Sequence, residues 1–304
     1  MVDDGSTDGT LEVARQFASS EVIVATQANQ GAATARNKAF ELSHGDYIQW
    51  LDADDLLSPD KIARQMAVLS RCNGRRSVVS SEWAYFFHRT AKAQFNPTLL
   101  WCDLSPKEWL FRKLDQNLFM QTATWLVTRE LTEAAGPWDK RLLGDDDGEY
   151  FCRVLMASDE VIFVPQARVF YRIAGSGSLS YIGRSERKLR AHLLSMEMHV
   201  RYMRTLEDSE RIRLACLKYL ERQLPHFYPE RPDLVQKIDE LAATLGVSHL
   251  TPPRMSWKYD WIRRVFGWTA AKGVQRIYNR YKCSILAGWD KMLARFDKQS
   301  ACES

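Results

Sequence analysis

GDYIQWLDADDLLSPDK, running from Gly45 to Lys61, decides how the rest of the chain is read. Its apolar core, Tyr47 to Leu51, has the composition of a strand and ends in three acids within four positions, Asp52, Asp54 and Asp55. Ser58-Pro59 then opens a helix. Carboxylates this close repel one another unless something positive lies between them, and a hard divalent cation carrying a phosphate meets that need. A solvated turn that caps the next helix is the plainer alternative, because Asp is enriched in turns whether or not metal binds. A calcium loop of the EF-hand type is excluded, since its sixth position from Asp52 is Leu57 instead of Gly and its twelfth is Ala63 instead of Glu.

Working outward, a Gly/Asp/Ser/Thr loop at residues 3–10 precedes helical spacing at Leu11, Ala14, Phe17 and Ala18. Glu21 to Thr26 (EVIVAT) reads as a buried strand, and Gln30-Gly31 turns the chain into a helix from Ala32 to Leu42 that Gly45 is expected to cap. A helix from Pro59 to Leu69, a strand from Ser77 to Phe87 and a helix from Ser105 to Lys113 with a capping box follow. Thr122 to Thr128 reads as a strand and Arg129 to Ala135 as a helix. Gly144-Asp145-Asp146-Asp147-Gly148-Glu149 is a second acidic knot ahead of a helix, and Glu160 to Val164 and Ala167 to Tyr171 read as strands. This alternation predicts an α/β fold, a mostly parallel sheet with helices on both faces. In such sheets ligands sit beyond the carboxyl ends of the strands, so the Asp3-Asp4 loop and the Asp52 to Asp55 cluster are expected at one crevice. From about Ser185 the pattern is wholly helical. The expected organisation is an α/β domain at 1–183, a helical extension at 184–253 and a basic, Trp-rich helical tail at 254–304.

Composition narrows the class. With 45% hydrophobic and 11% aromatic residues in 304, the chain buries a substantial core, and disorder is not expected. The net charge of +4 is uneven: residues 254–295 sum to +8, whereas residues 1–253 sum to −3. Six scattered cysteines form no CxxC pair and no His partner stands at ligand spacing, so neither a zinc site nor a disulfide framework is indicated. Reduced thiols, no signal peptide and no run of 18 apolar residues lead to the expectation of a cytoplasmic protein, at most peripheral at the inner face of the membrane. Trp257, Trp261, Trp268 and Trp289 lie inside the basic segment. Two readings stay open there: peripheral contact of 254–295 with an anionic membrane, or packing of the Trp face on the catalytic part. Nucleic acid is not expected as a partner, given the acidic front of the chain.

The motifs VDDGSTDGT, NQGAATARNKA and DYIQWLDADDLLSPDKI, with a downstream acidic pair before an aromatic helix, together resemble the family 2 glycosyltransferases with a GT-A fold. The resemblance covers residues 2 to about 180. It implies inverting transfer of a sugar from a nucleotide diphosphate sugar, usually UDP-linked, to a glycan or lipid-linked acceptor, with Mg²⁺ or Mn²⁺. By the same resemblance Asp4 accepts from the nucleotide base, Asp3, Gly5 and Ser6 support that pocket, and Arg36 lies near the nucleotide in a loop shaped by Asn29 and Gly31. Asp52 and Asp54 match the outer acids of the DxD signature, Asp54 as metal ligand and Asp52 facing the metal sphere or ribose, while Asp55 is expected to cap the following helix. Asp147, six residues before Arg153, matches the general base. Crowding among Asp145, Asp146 and Asp147 is expected to raise at least one of their pKa values.

Two departures from the family pattern stand out. Relatives carry an apolar strand and a helix before the DDGS loop, and here only Val2 precedes it, so a chain lacking the usual first strand and helix is expected. That keeps a second reading open, a catalytically impaired or non-catalytic sugar-nucleotide-binding scaffold. Ala174 stands where many relatives have His after a similar YR-x, and Ser178 and Ser180 are read as lining a lid.

Overall fold

The computed structural model describes residues 1–72, 76–173, 185–251 and 253–302, without the side chains of 298–302. Ala174, Ser178, Ser180 and the expected boundary at 183/184 lie outside the described residues. The α/β part begins with β1 (Val2–Asp3), α1 (Thr10–Arg15), β2 (Ala25–Thr26), α2 (Ala32–Glu41), β3 (Tyr47–Ile48), β4 (Leu56–Leu57) and α3 (Lys61–Leu69). It continues with β5 (Ser77–Phe86), α4 (Pro106–Gln116), β6 (Val127–Thr128), α5 (Arg129–Ala135), α6 (Asp146–Ala157) and β7 (Glu160–Arg172). The helical extension consists of α7 (Glu186–Leu206), α8 (Glu210–Gln223) and α9 (Pro232–Ala243), and the tail is α10 (Trp257–Cys302), broken at Gly267 where φ is 80°.

Most paired residues lie in parallel ladders, as the alternation predicted. β5 and β7 pair in parallel from Ser77 opposite Glu160 to Phe86 opposite Arg172, and β1 pairs in parallel with β2. The β3–β6 and β4–β7 pairings are antiparallel. The two strands expected at 160–164 and 167–171 are one, interrupted by a register shift opposite Ser81/Glu82 where Gln166 has a φ of 64°. Pro165, Gln166 and Ala167 are unpaired there and bulge out, kinking the strand without ending it.

Several expected elements are shorter. EVIVAT yields only β2, with Ile23 45% exposed, because a ladder is no longer than its shorter partner and β1 pairs over two residues. Tyr47 to Leu51 likewise shrinks to β3, limited by β6. Thr122 to Thr128 gives a 3-10 turn at Thr122–Thr124 before β6, since the Gln121 side chain takes the Ala123 N–H at 2.5 Å and bends the backbone out of the sheet. Gly45 does not cap α2; Leu42 does, and the Gly45 carbonyl accepts from Arg129 Nε at 2.9 Å. α3 starts at Lys61, because the Ser58 backbone pairs with Arg168 at the sheet edge. Ser105 does cap α4, accepting from the Glu108 N–H at 3.3 Å.

One apolar core runs through both parts. Trp50, Val78, Trp109, Trp125, Tyr150 and Leu155 of the α/β part pack in the same cluster as Met196, Val200, Ile212, Leu220, Phe227 and Ile238 of the extension. Lys61 is fully buried without a carboxylate partner among the described residues; its Nζ donates to Gln49 Oε1 and, at 2.7 Å, to Gln65 Oε1. Gln49 and Gln65 in turn donate to the carbonyls of Ala123 and Thr124 at 2.9 and 2.8 Å. Desolvation pushes the Lys61 pKa down to about 7. This network ties α3 and the segment after β3 to the 121–124 turn. No helix among the described residues is long and apolar enough to cross a membrane.

Candidate active site

The DDGS loop leaves β1 with its two acids turned to different tasks. Asp3 accepts from Thr26 Oγ1 at 3.0 Å and from the Ser6 N–H at 3.4 Å. Hydrogen bonding by Ser6 outweighs burial and, with Thr26, holds Asp3 below the ordinary carboxylate value. Asp4 accepts from Gln27 Nε2 at 2.8 Å, the Gln30 N–H at 2.9 Å and the Gly31 N–H at 2.8 Å. Gly5 has a φ of 76°, and a Cβ there would stand 2.7 Å from the Asn29 nitrogen. The DDGS loop is thus zipped to residues 27–31, which deliver α2.

α2 presents Arg36 and Asn37 to the second half of the site. The Arg36 guanidinium donates to Asp52 at 2.8 Å and to Asp146 at 2.7 Å, joining the two acidic knots. It is 17% exposed and lies over the Trp138 ring, 4.5 Å from the centroid. Burial opposes its charge, but Asp146 and Asp52 outweigh that and raise its pKa further. Asn37 exchanges two hydrogen bonds with the Trp138 backbone, at 3.0 and 2.8 Å. Trp138 stacks on Tyr150 at 4.1 Å, and Arg153 lies over Tyr150 while gripping the fully buried Glu149 at 2.7 and 2.9 Å. Tyr202 of α7 also donates to Glu149, at 2.6 Å.

Around the first knot the three acids differ. Asp52 gives one oxygen to Arg36 and is 38% exposed. Asp54 is exposed, and its carboxylate makes no hydrogen bond among the described residues; only its backbone carbonyl is used, by Arg172 Nε at 2.8 Å. Asp55 is not the expected helix cap. It is buried and accepts from Gln121 Nε2 at 2.6 Å and from the Arg172 N–H at 2.9 Å, because the chain after it pairs with β7 before α3 begins. Burial, with help from Asp54 and Asp52, pushes its pKa up to about 7.

At the second knot, Asp145 has a φ of 56° and begins α6. It accepts from Ser195 Oγ of α7 at 2.9 Å and approaches His199 Nδ1 at 3.7 Å. Burial lowers the His199 pKa, which disfavours the charged ring, although Asp145 opposes that. Asp147 accepts from Thr122 Oγ1 at 3.0 Å. Desolvation, then the neighbouring Asp146 and Asp145, push its pKa up to about 6, in keeping with the crowding read from the sequence. Tyr171, at the end of β7, feels both knots: burial, then Asp147, Tyr85, Asp55 and Asp52, raise its phenol to about 12.

Arg36 therefore joins Asp52 to Asp146, and the Asp3-Asp4 loop is joined to them through α2, while Asp147 lines a small cavity with Trp109, Lys113, Phe119 and Trp125. Asn37, Gln121, Thr122, Trp138 and Tyr171 belong to the site as well and were not singled out from the sequence. The only signal for Asn37 was its place beside Arg36 in the ARN segment; the others gave none. Among the described residues no three His, Cys, Asp or Glu side chains cluster as metal ligands. The exposed, unengaged Asp54 beside Asp52 offers the one or two hard oxygen donors that suit a cation taking most of its shell from phosphate and water. The surface hollow lined by Tyr228, Val235, Asp239 and His249 on the extension contains none of these acids.

Sequence comparison matches residues 1–133 to the model of glycosyl transferase family 2. Residues 1–133 belong to that family. Among curated relatives of this family 2 segment, an uncharacterized glycosyltransferase of Haemophilus influenzae is 41% identical over 69 residues, 22% of this chain and 28% of that protein. Glycosyltransferase GlyA of Streptococcus pneumoniae is 28% identical over 193 residues, 60% of this chain and 27% of that protein. The chain thus spans little more than a quarter of the length of these relatives. The crystal structure of S. aureus TarS 1-349 in complex with UDP-GlcNAc superposes with a TM-score of 0.59 at 14% identity, covering 79% of this chain and 73% of that one. The likeness shows a GT-A fold.

Replacing Arg36 with Gln leaves Asp52 and Asp146 facing each other without their shared cation. Urea denaturation is expected to show a loss of about 3 kcal/mol, against less than about 1 kcal/mol for Arg64→Gln, whose partner Asp60 is exposed on α3.

Proposed function

We propose that the chain is an inverting glycosyltransferase that moves a sugar from a UDP-linked donor to an acceptor hydroxyl, with Asp147 as general base and Mg²⁺ or Mn²⁺ held by Asp54 and Asp52. The observation that supports this reading is the Arg36 bridge, which joins Asp52 of the first acidic knot to Asp146, the neighbour of Asp147, in the second. In the step itself the acceptor O–H loses its proton to Asp147 as its oxygen bonds to the anomeric carbon. The bond from that carbon to the phosphate oxygen breaks, and the diphosphate leaves with the electron pair. A single displacement inverts the anomeric configuration. The cation, when bound, supplies charge neutralisation for the departing diphosphate.

Each residue has a task in this scheme. An ionised carboxylate has about four acceptor sites, and three on Asp4 are used by residues 27–31, so one remains for a base N–H. Asp3 and Ser6 fix the loop, and Arg36 bridges Asp52 and Asp146. Thr122 aims Asp147, whose pKa of about 6 leaves it mostly deprotonated at pH 7 yet basic enough to take a proton.

Transfer requires the deprotonated base, so kcat/KM is expected to rise with pH through an acid limb near 6. Asp147→Asn is expected to remove that limb and lower transfer by roughly 10² to 10⁴-fold, with UDP affinity unchanged; equal activity in the variant would refute the assignment. Calorimetry with UDP and a turnover assay together separate the transferase from a non-catalytic sugar-nucleotide-binding scaffold. Binding that strengthens with Mn²⁺ in wild type and loses that increment in Asp54→Ala, together with release of UDP from a UDP-sugar, supports the enzyme, and UDP binding without turnover supports the scaffold.

A membrane role for the tail also has structural support. α10 is held to the body along one stripe: Trp268 packs on Tyr228, Lys272 bonds to Glu230 and the Tyr228 carbonyl, and about five turns later Asp290 pairs with Arg89. Ile277, Tyr281, Ile285 and Trp289, at four-residue steps, fall on the opposite side, and all are exposed. Arg280, Lys282 and Lys291 are exposed and form no ion pair among the described residues. We propose that this outward face lies on an anionic membrane surface. The full chain should bind vesicles containing phosphatidylserine and not neutral ones. Charge reversal at Arg280, Lys282 and Lys291 together should weaken binding by about 100-fold, and wild-type indifference to lipid charge would refute the proposal.

A further inference from the structure

Because β5 and β7 run parallel in register, Trp83 and Tyr85 share one face of the sheet with Val169 and Tyr171, while Ala84, Phe86 and Phe170 take the other. The rings on the first face close on one another. Tyr85 lies 4.9 Å from Trp83 and 5.4 Å from Tyr171, and Phe119, from the loop after α4, lies 5.4 Å from Trp83 and 6.2 Å from Tyr171. Unlike the aromatic cluster of the core, this one opens to solvent, with Tyr85 50% and Phe119 39% exposed. It also borders the reacting groups. Phe119 and Asp147 line one small cavity, and the Tyr171 phenol senses Asp147, Asp55 and Asp52.

We propose that Tyr85, Phe119 and Tyr171 form the platform on which the acceptor sugar, a neutral pyranose, stacks with its attacking hydroxyl toward Asp147. Flat rings flanked by phenols and carboxylates suit a pyranose, whose C–H face packs on the π surface while its hydroxyls find polar partners at the edge. An acyclic polyol phosphate has no rigid C–H face to lay on these rings and is disfavoured there. The assignment of this sugar as acceptor rests on the transferase reading above.

Saturation-transfer NMR on the full chain with UDP and Mn²⁺ tests it, using methyl β-D-glucopyranoside, cellobiose, N,N′-diacetylchitobiose and ribitol 5-phosphate as probes. At least one pyranoside should show enhancement concentrated on its ring C–H protons, and ribitol 5-phosphate should show none. Affinity should fall about tenfold in Tyr85→Ala and in Phe119→Ala and persist in Tyr85→Phe, with UDP binding by calorimetry unchanged in all three. No pyranoside signal, equal signal in the Ala variants, or preference for ribitol 5-phosphate would overturn the platform. Weakened binding of UDP-N-acetylglucosamine with intact UDP affinity would put the donor sugar on these rings and overturn the acceptor assignment. Pyranoside stacking in a wild-type chain that binds no UDP would overturn the transferase reading while keeping the sugar platform.

Discussion

One guanidinium holds the two acidic halves of this molecule together. Arg36 spans Asp52 and Asp146 with two short charge-assisted hydrogen bonds and spreads its flat face on Trp138. A lysine would serve poorly, since a compact ammonium neither donates in two fixed directions from a plane nor stacks on indole in the same way. Removing the cation would leave like charges facing each other in a half-buried space, where their repulsion is poorly screened. The Trp138 ring that supports Arg36 is fixed in turn by Asn37, Tyr150 and the Glu149–Arg153 pair. The position of Asp52 relative to the second knot thus depends on packing some distance from either.

The 121–124 turn is the second shared support. Gln121 reaches Asp55 and Thr122 reaches Asp147, so one short segment contacts an acid of each knot. Burial raises both pKa values, to about 7 for Asp55 and about 6 for Asp147, but the surroundings differ. Asp55 is locked between Gln121 and the β7 backbone as a structural joint, whereas Asp147 borders a cavity. The helical extension takes part too: Ser195 and Tyr202 of α7 hold Asp145 and Glu149 at the start of α6, from the far side of the same core. The extension therefore buttresses the helix that carries the proposed base.

Much of this was legible in the chain itself. The DDGS loop, the DADD stretch and the GDDDGE knot are local, and turn chemistry, capping and acid crowding can be read from neighbours in sequence; Ser105 and the α5 start followed, whereas the crowding only adds to the burial that raises Asp147. Strand lengths were not legible, because a ladder requires a partner: EVIVAT and Tyr47 to Leu51 have strand composition, but only two residues of each find one. Asp55 was misread for a related reason. Its local sequence favours a cap, and only the pairing of Leu56 and Leu57 with β7 pulls it away from α3 into the interior.

What the sequence determined alone was the family 2 character of residues 1–133, the alternating α/β order and the identity of the acids available for chemistry, all properties of short segments. The tertiary structure decided which acids meet, which are free and which are locked. Asp52 and Asp146 stand far apart in the chain and become neighbours only because α2 presents Arg36 between them. Tyr85, Phe119 and Tyr171 gather only through the β5–β7 register and the loop after α4. Charge balance across a site and the stacking of rings are sums over distant neighbours, and no local pattern contains them.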